Sequence, residues 1–314
     1  MLLYKALQEI GSTLGIHKLG VSSSALIASD HIGEWLDRGY QGEMSYMARN
    51  QDKRLDPGKL LPGAKSVISV FVNYHQEEQY SHLDGVISKY ARGVDYHKIL
   101  KDMLHALADE LHHDDNKGLT RKQRAKIYRI FVDSAPVMEK QWALMSGIGW
   151  QGKHSNIITR DYGSWGFLGE IITTKAFDRY DSPIPDYCGE CTACLDACPT
   201  QAIVEPYVVD GTKCISYATI ELKPESDFPE SVKKDLGEWI FGCDICQDVC
   251  PWNRFAKPSE INSFTPLAEL QQELPDFNKM SEIEFIETFG ATPLERSGLA
   301  GLQRNIAVSH PAQK

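Results

Sequence analysis

The stretch from Cys188 to Thr200, CGECTACLDACPT, puts four cysteines into eleven positions and closes on a proline. All eight cysteines of the 314-residue chain fall between 188 and 250: Cys188, Cys191, Cys194, Cys198, Cys214, Cys243, Cys246 and Cys250. The redox surroundings decide what such a pattern means. The N-terminus, MLLYKALQEIGSTLG, carries Glu9 and has the spacing of an amphipathic helix rather than of an export leader. No apolar run approaches the roughly 20 residues needed to cross a bilayer. A cytoplasmic protein without a membrane segment is therefore expected. Thiols stay reduced there, so dense cysteines point to metal or catalysis and not to a disulfide framework.

Spacing then selects the metal. The first four cysteines read C-x2-C-x2-C-x3-C-P, the run of bacterial ferredoxins in which the fourth cysteine serves the other cluster of a pair. Two-residue spacers let three thiolates wrap one iron–sulfur cube, and the longer step carries the last thiol away from it. Cys243, Cys246 and Cys250, before Pro251, form a shortened copy with Ile240 where a further cysteine would stand. Cys214 can supply the missing ligand. The eight thiols then divide into Cys188, Cys191, Cys194 and Cys250 for one [4Fe-4S] cluster, and Cys198, Cys214, Cys243 and Cys246 for the other. Structural zinc usually takes two separated ligand pairs, which this packing fits poorly. Clusters sharing motifs in this way sit close together, as electron relay requires.

About 180 residues precede the cysteines, enough for a domain of their own. The expected division is 1–180, 181–258 and a helical tail over 259–314, with FDRYDSPIPDY (177–187) as a stiff linker. Hydrophobic residues at 42% predict a packed interior. Periodicity predicts helices over 3–14, 25–38 and 95–112, and strands over 17–23, 66–74 and 126–133. A further helix is expected from Pro136 towards Gly147, and 155–174 reads as two strands joined by a turn at DYGS. Strands alternating with helices imply an α/β or α+β layer structure. The glycines of GIGWQG (147–152) follow a helix and precede a strand, the reverse of a dinucleotide site.

The net charge of −10 argues against bulk attraction to nucleic acid. Two basic stretches stand out against it. One is KGLTRKQRAKIYR (117–129), free of acids, and the other comprises Arg49, Lys53, Arg54, Lys59 and Lys65. Either is a phosphate-binding stripe or a solvated surface. Asp133, at the end of an apolar strand, reads as a helix N-cap before Pro136 or as a proton donor over a pocket. The residues alone favour the cap. DYH (95–97) begins like the D-x-H-x-x-G motif that gives a histidine to cobalamin's cobalt, but position 100 is leucine, so His97 is an ordinary residue at a helix start.

Taken together, SKYARGVDYHK (88–98), RIFVDSAPVMEK (129–140), GIGWQGKHSNIITRDYGSWGFLGEI (147–171), KCISYATIE (213–221) and FGCDICQDVCPWN (241–253) resemble the epoxyqueuosine reductases. The resemblance covers nearly the whole chain in the family's order. It implies an oxidoreductase that reduces the cyclopentane epoxide of epoxyqueuosine at a tRNA wobble position to the alkene of queuosine, with the oxygen leaving as water. It implies cobalamin without a histidine on cobalt, two [4Fe-4S] clusters and a nitroreductase-like cobalamin-binding domain ahead of a ferredoxin-like one. Asp133 matches the family's proton donor, which reverses the preference for a cap. Arg54, His97, His154, Asn156, Leu168 and Ser216 lie in stretches that line the cobalamin. The implied partners are the tRNA anticodon stem-loop, met by the basic stretches, and an external one-electron reductant such as a flavodoxin or ferredoxin, with the enzyme a monomer. Many relatives continue into a helical repeat that helps hold tRNA, and here it is expected to be absent or reduced to one helix. The competing readings are a corrinoid reductive dehalogenase and a ferredoxin-like electron carrier.

Overall fold

Strand β2 (Ser66–Asn73) is buried along its whole length, as SVISVFVN requires of a strand covered on both faces. A computed structural model, describing residues 1–25, 27, 31–76 and 78–309, builds a four-stranded antiparallel sheet around it. The order is β1 (Lys18–Ser23), β2, β6 (Gly166–Thr173) and β3 (Tyr128–Phe131). The fold is thus of the α+β kind. Helices Tyr4–Thr13 and Tyr96–Leu111 cover one face, where Leu7, Leu100, Leu104 and Leu107 meet Ile68, Val70 and Ile171. Helix Glu139–Met145 covers the other through Trp142, against Val67, Phe131 and Ile172. Fully burying each such side chain contributes about 1.5–3 kcal/mol, so the sheet and its two covers form one rigid platform.

Two expectations change. The 155–174 segment is not a simple hairpin. β5 (Ile157–Ile158) pairs with β4 (Trp150–Gln151), while β6 crosses to the centre of the main sheet. The turn between them persists, closed by the Thr159–Gly163 bridge. Its position is set by Asn253, whose Oδ1 accepts the Ser164 N–H at 2.7 Å and whose Nδ2 donates to the Gln247 carbonyl at 2.6 Å. The helix expected from Pro136 begins instead at Glu139, because residues 133–137 are spent on tight turns. Of the helix expected over 25–38, His31–Asp37 is helical, and residues 26 and 28–30 lie outside the described residues.

The cysteine region holds two short helices, Ala193–Ala197 and Ile245–Asp248, that pack together, and a hairpin of β7 (Ile203–Glu205) and β8 (Val208–Val209). The tail is helical, with a capping box at Ser281 and Glu284 opening helix Glu282–Phe289. Phe277, Phe285, Phe289 and Leu302 bury against Leu83, Ile87 and Phe241. Asn305 on the last helix, Gly298–Ser309, donates to the carbonyls of Thr219 at 2.8 Å and Ile240 at 2.7 Å, stitching the tail to the cysteine region. Among the described residues, no helix is long and apolar enough to cross a membrane.

Candidate active site

Two residues past the end of β3, Asp133 takes a left-handed backbone conformation with φ of +54°. That costs a non-glycine residue about 1–2 kcal/mol, although aspartate tolerates it better than most. Local hydrogen bonds hold it. The Asp133 N–H donates to the Glu139 carboxylate, and the Ala135 N–H donates to the Asp133 carbonyl at 2.8 Å. The turn aims the Asp133 carboxylate at His97 rather than at the helix that follows. The N-cap of that helix is Met138, with no side-chain cap, so Asp133 does not cap it.

His97 sits between two carboxylates. Asp95 caps the long helix, its Oδ1 accepting the His97 backbone N–H at 2.9 Å and lying 2.7 Å from Nδ1. Nε2 lies 3.2 Å from Asp133 Oδ2. The hydrogen bond to Asp133, then that to Asp95, outweighs burial and raises His97 to about 9. The same imidazolium contact holds the Asp133 carboxyl below its ordinary range. The Asp133 side chain is 60% exposed.

Behind it lie two further acids. Burial, and then the charge of Asp133, raises Glu139 to about 7. Glu170, paired across β6 with Ser69 and Phe131, is fully buried with both carboxyl oxygens unpartnered. Burial, then Glu139 and Asp133, pushes its pKa well upward, towards the neutral acid.

The neighbouring cavity, about 420 Å³, is lined by Cys198, Cys214, Cys243 and Cys246 together with His154, Asn156, Leu168 and Ser216. Tyr96 and Lys140 line it too, each next in sequence to a partner of Asp133. A second cavity, about 310 Å³, is lined by Cys188, Cys191, Cys194 and Cys250. The thiols influence one another largely in the same groupings, with one link across them, from Cys194 to Cys246. Burial and then Cys250, Cys188 and Cys191 raise Cys194 to about 11, while burial and then Cys214 and Cys198 raise Cys243. Cys191 is exposed, and Lys153 tethers its loop by donating to the carbonyls of Gly189 at 2.7 Å and Cys191 at 2.9 Å. Among the described residues, no three His, Cys, Asp or Glu side chains gather tightly enough for a single metal ion.

Known proteins place this constellation. Residues 187–253 match the family model described as 4Fe-4S double cluster binding domain, and residues 54–134 match that described as Epoxyqueuosine reductase QueG, DUF1730. The chain is 46% identical over 306 residues to the epoxyqueuosine reductase of Leadbetterella byssophila, covering 96% of this chain and 97% of the relative. The chain belongs to the epoxyqueuosine reductase family. Two solved structures of the family share its fold. One, crystallised with an epoxyqueuosine-modified tRNA-Tyr stem loop, has a TM-score of 0.81 at 29% identity and is covered to 80%, with 98% of this chain. The other, from Bacillus subtilis and solved with an aspartate catalytic loop swung out of the active site, has a TM-score of 0.79 at 28% identity and the same coverage.

As an epoxyqueuosine reductase, the chain is an oxidoreductase with two [4Fe-4S] clusters and cobalamin as cofactors. The residues present fit the corrin, whose rim carries amide groups. His154 is buried, and its Nδ1 accepts the Asn156 N–H at 3.2 Å, so Nε2 bears the hydrogen and has no protein partner. Burial and then Lys140 lower this ring to about 4, keeping it neutral. Arg54 is buried with Nε equally unpartnered. Both are donors waiting for acceptors. Of the residues expected at the cofactor, His154, Asn156, Leu168 and Ser216 share the cavity, whereas His97 and Arg54 lie with Asp133 and Glu139 at its edge. Sequence reasoning missed Glu139 and Glu170. The lone acid in GFLGEIITT was a signal for the second.

Much of the 117–129 stripe is otherwise engaged. Lys117 pairs with Asp114 at 2.8 Å, Arg124 with Asp109 at 3.1 Å, and Arg129 donates to the Leu60 carbonyl at 2.8 Å. Arg121 and Lys122 remain exposed.

Proposed function

We propose that Asp133 delivers protons to the epoxide oxygen of epoxyqueuosine while the two cysteine sets carry electrons to the same cavity. The overall change takes two electrons and two protons. Both C–O bonds of the epoxide break, the two ring carbons share a new double bond, and the oxygen leaves as water. Cobalamin, when bound, supplies the low-potential electron chemistry at the ring. The chain does the rest. Cys191, open on the surface, marks electron entry from an external one-electron donor such as a flavodoxin or ferredoxin. Cys198, Cys214, Cys243 and Cys246 bring the second cluster to the cavity wall. His154 and Arg54 offer their unpartnered N–H groups to the cofactor's rim, and Asn156, Leu168 and Ser216 shape its bed.

The substrate is taken as tRNA, a reading supported by the relative crystallised with a modified stem loop. Arg49, Lys53, Arg121 and Lys122 are the cations proposed to meet its phosphates. The loop carrying Asp133 is proposed to swing as its counterpart does in the Bacillus subtilis protein. The enzyme is proposed to act as a cytoplasmic monomer, with residues 1–180 as the cobalamin domain.

One observation carries this reading: Tyr96, which faces the Asp133 carboxylate held by His97, lines the cavity into which four thiols open. The test is Asp133→Asn, reconstituted anaerobically and assayed by mass analysis of tRNA nucleosides. Cluster and cobalamin absorption should be unchanged, and queuosine formation should fall by about 10²–10⁴-fold, the usual worth of a positioned acid. A wild-type rate would end the assignment.

A further inference from the structure

Deoxygenation places two protons on one oxygen, and Asp133 can hold only one at a time. Once substrate and cofactor cover the cleft, the exposed face of Asp133 is sealed and its proton must be replaced from behind. Among the described residues, three titratable side chains reach it there, Tyr96, Glu139 and His97, and of these His97 forms a row of hydrogen bonds leading outward. His97 Nε2 lies 3.2 Å from Asp133 Oδ2, and the opposite ring nitrogen lies 2.7 Å from Asp95 Oδ1. The His97 side chain is 28% exposed and that of Asp95 38%, so this end of the row meets solvent. We propose that His97, oriented by Asp95, reloads Asp133 with a proton from solvent twice in each turnover. This rests on Asp133 being the donor.

Each pass is balanced. The Nε2–H bond of the imidazolium breaks as the Asp133 Oδ2–H bond forms. The neutral carboxyl then gives that proton to the substrate oxygen, and the neutral ring takes another from solvent. The two electrons come from the external one-electron donor. His97 acts through Asp133 and touches no reacting atom, so it is a positioning residue.

At rest the proton sits on the ring and Asp133 is a carboxylate, so the transfer is completed only as the substrate oxygen takes the proton from Asp133. The Asp133 hydrogen bond, then Asp95, raises the ring to about 9, so its proton is available throughout the neutral range. Tyr96 stacks on the ring with centroids 4.2 Å apart and also faces Asp133. Lys101 faces Asp95 from the same helix. Glu139, raised to about 7, faces Asp133 from the following helix. Arg54 and Tyr46 face it from the segment before β2, and Arg296 from the tail, tied to Glu221 at 2.8 Å. Of these, only Glu139 titrates near neutrality, well apart from His97.

The test is His97→Gln, which keeps a donor facing Asp133 and removes the titrating ring. Wild-type turnover at saturating cobalamin should hold to about pH 9 and fall above it. The variant should be slower by at least about tenfold, and its rate should decline through the ordinary carboxylate range instead. Wild-type rate and profile in His97→Gln, with Asp133→Asn inactive, would overturn the relay and leave the donor assignment standing. Normal turnover in Asp133→Asn would overturn both. Should His97→Gln not assemble its clusters, the wild-type profile decides: no limb near pH 9 sinks the relay.

Discussion

Replacing Glu139 by alanine should release Asp133 without touching it. The Glu139 carboxylate accepts the Asp133 N–H and so holds the left-handed backbone at φ +54°. A hydrogen bond to a charged group is worth about 1.5–3 kcal/mol, against a backbone cost of about 1–2 kcal/mol. Removing the carboxylate leaves that cost unopposed, and the loop relaxes away from the cavity. At about 1.4 kcal/mol per decade, the loss corresponds to a ten- to hundredfold fall in turnover. Glu139→Gln keeps an acceptor but loses its charge, leaving a bond worth about 1 kcal/mol, so it should fall between alanine and wild type. The assay is single-turnover queuosine formation by prereduced enzyme, with cluster and cobalamin absorption as controls. Equal rates in wild type and both variants would refute the latch.

Glu170 gives a thermodynamic test. Its folded pKa lies well above the ordinary glutamate value of about 4.5, so above that pH the native state holds a proton that the unfolded chain has lost. Stability must therefore fall as pH rises from 4.5 towards the folded value, by about 1.4 kcal/mol per unit. Glu170→Gln should remove this slope and be more stable than wild type at pH 8 in urea denaturation, and an unchanged slope would exclude a neutral Glu170. At Gly163, φ is +58° and an added Cβ would lie 3.0 Å from Asn253 Cα and closer still to its amide oxygen. Gly163→Ala should cost about 2–4 kcal/mol in backbone strain and lost Asn253 bonds, seen as a lower temperature of cluster bleaching, and an unchanged bleaching temperature would show that the clamp is dispensable.

What could be read from the chain follows from how locally each feature is encoded. Cysteine spacing is local, so both ligand sets could be proposed from reach alone. The mostly apolar run of β2 and the leucine stripe of the long helix are local patterns, and both stand where the sequence puts them. β4 and β5 have two residues each, too few for any period, and the turn that follows β5 is positioned by Asn253 some ninety residues away. Asp133 looked like a cap because Pro136 suggested a helix start. The tight turns that defer the helix to Glu139 are set by a bond to Glu139 itself. The burial of Arg54 and the pairing of the 117–129 cations are likewise tertiary outcomes, invisible to a count of charges.

In the proposed ligand sets, Cys250 completes the ring begun by Cys188, and Cys198 completes the ring that holds Cys243. Each metal centre is then a cross-link between distant parts of the sequence, and one closed loop is nested inside the other. Iron is therefore part of the scaffold as well as the wiring. Stripping either cube would slacken the loop that the other one closes, and with it the wall of the pocket.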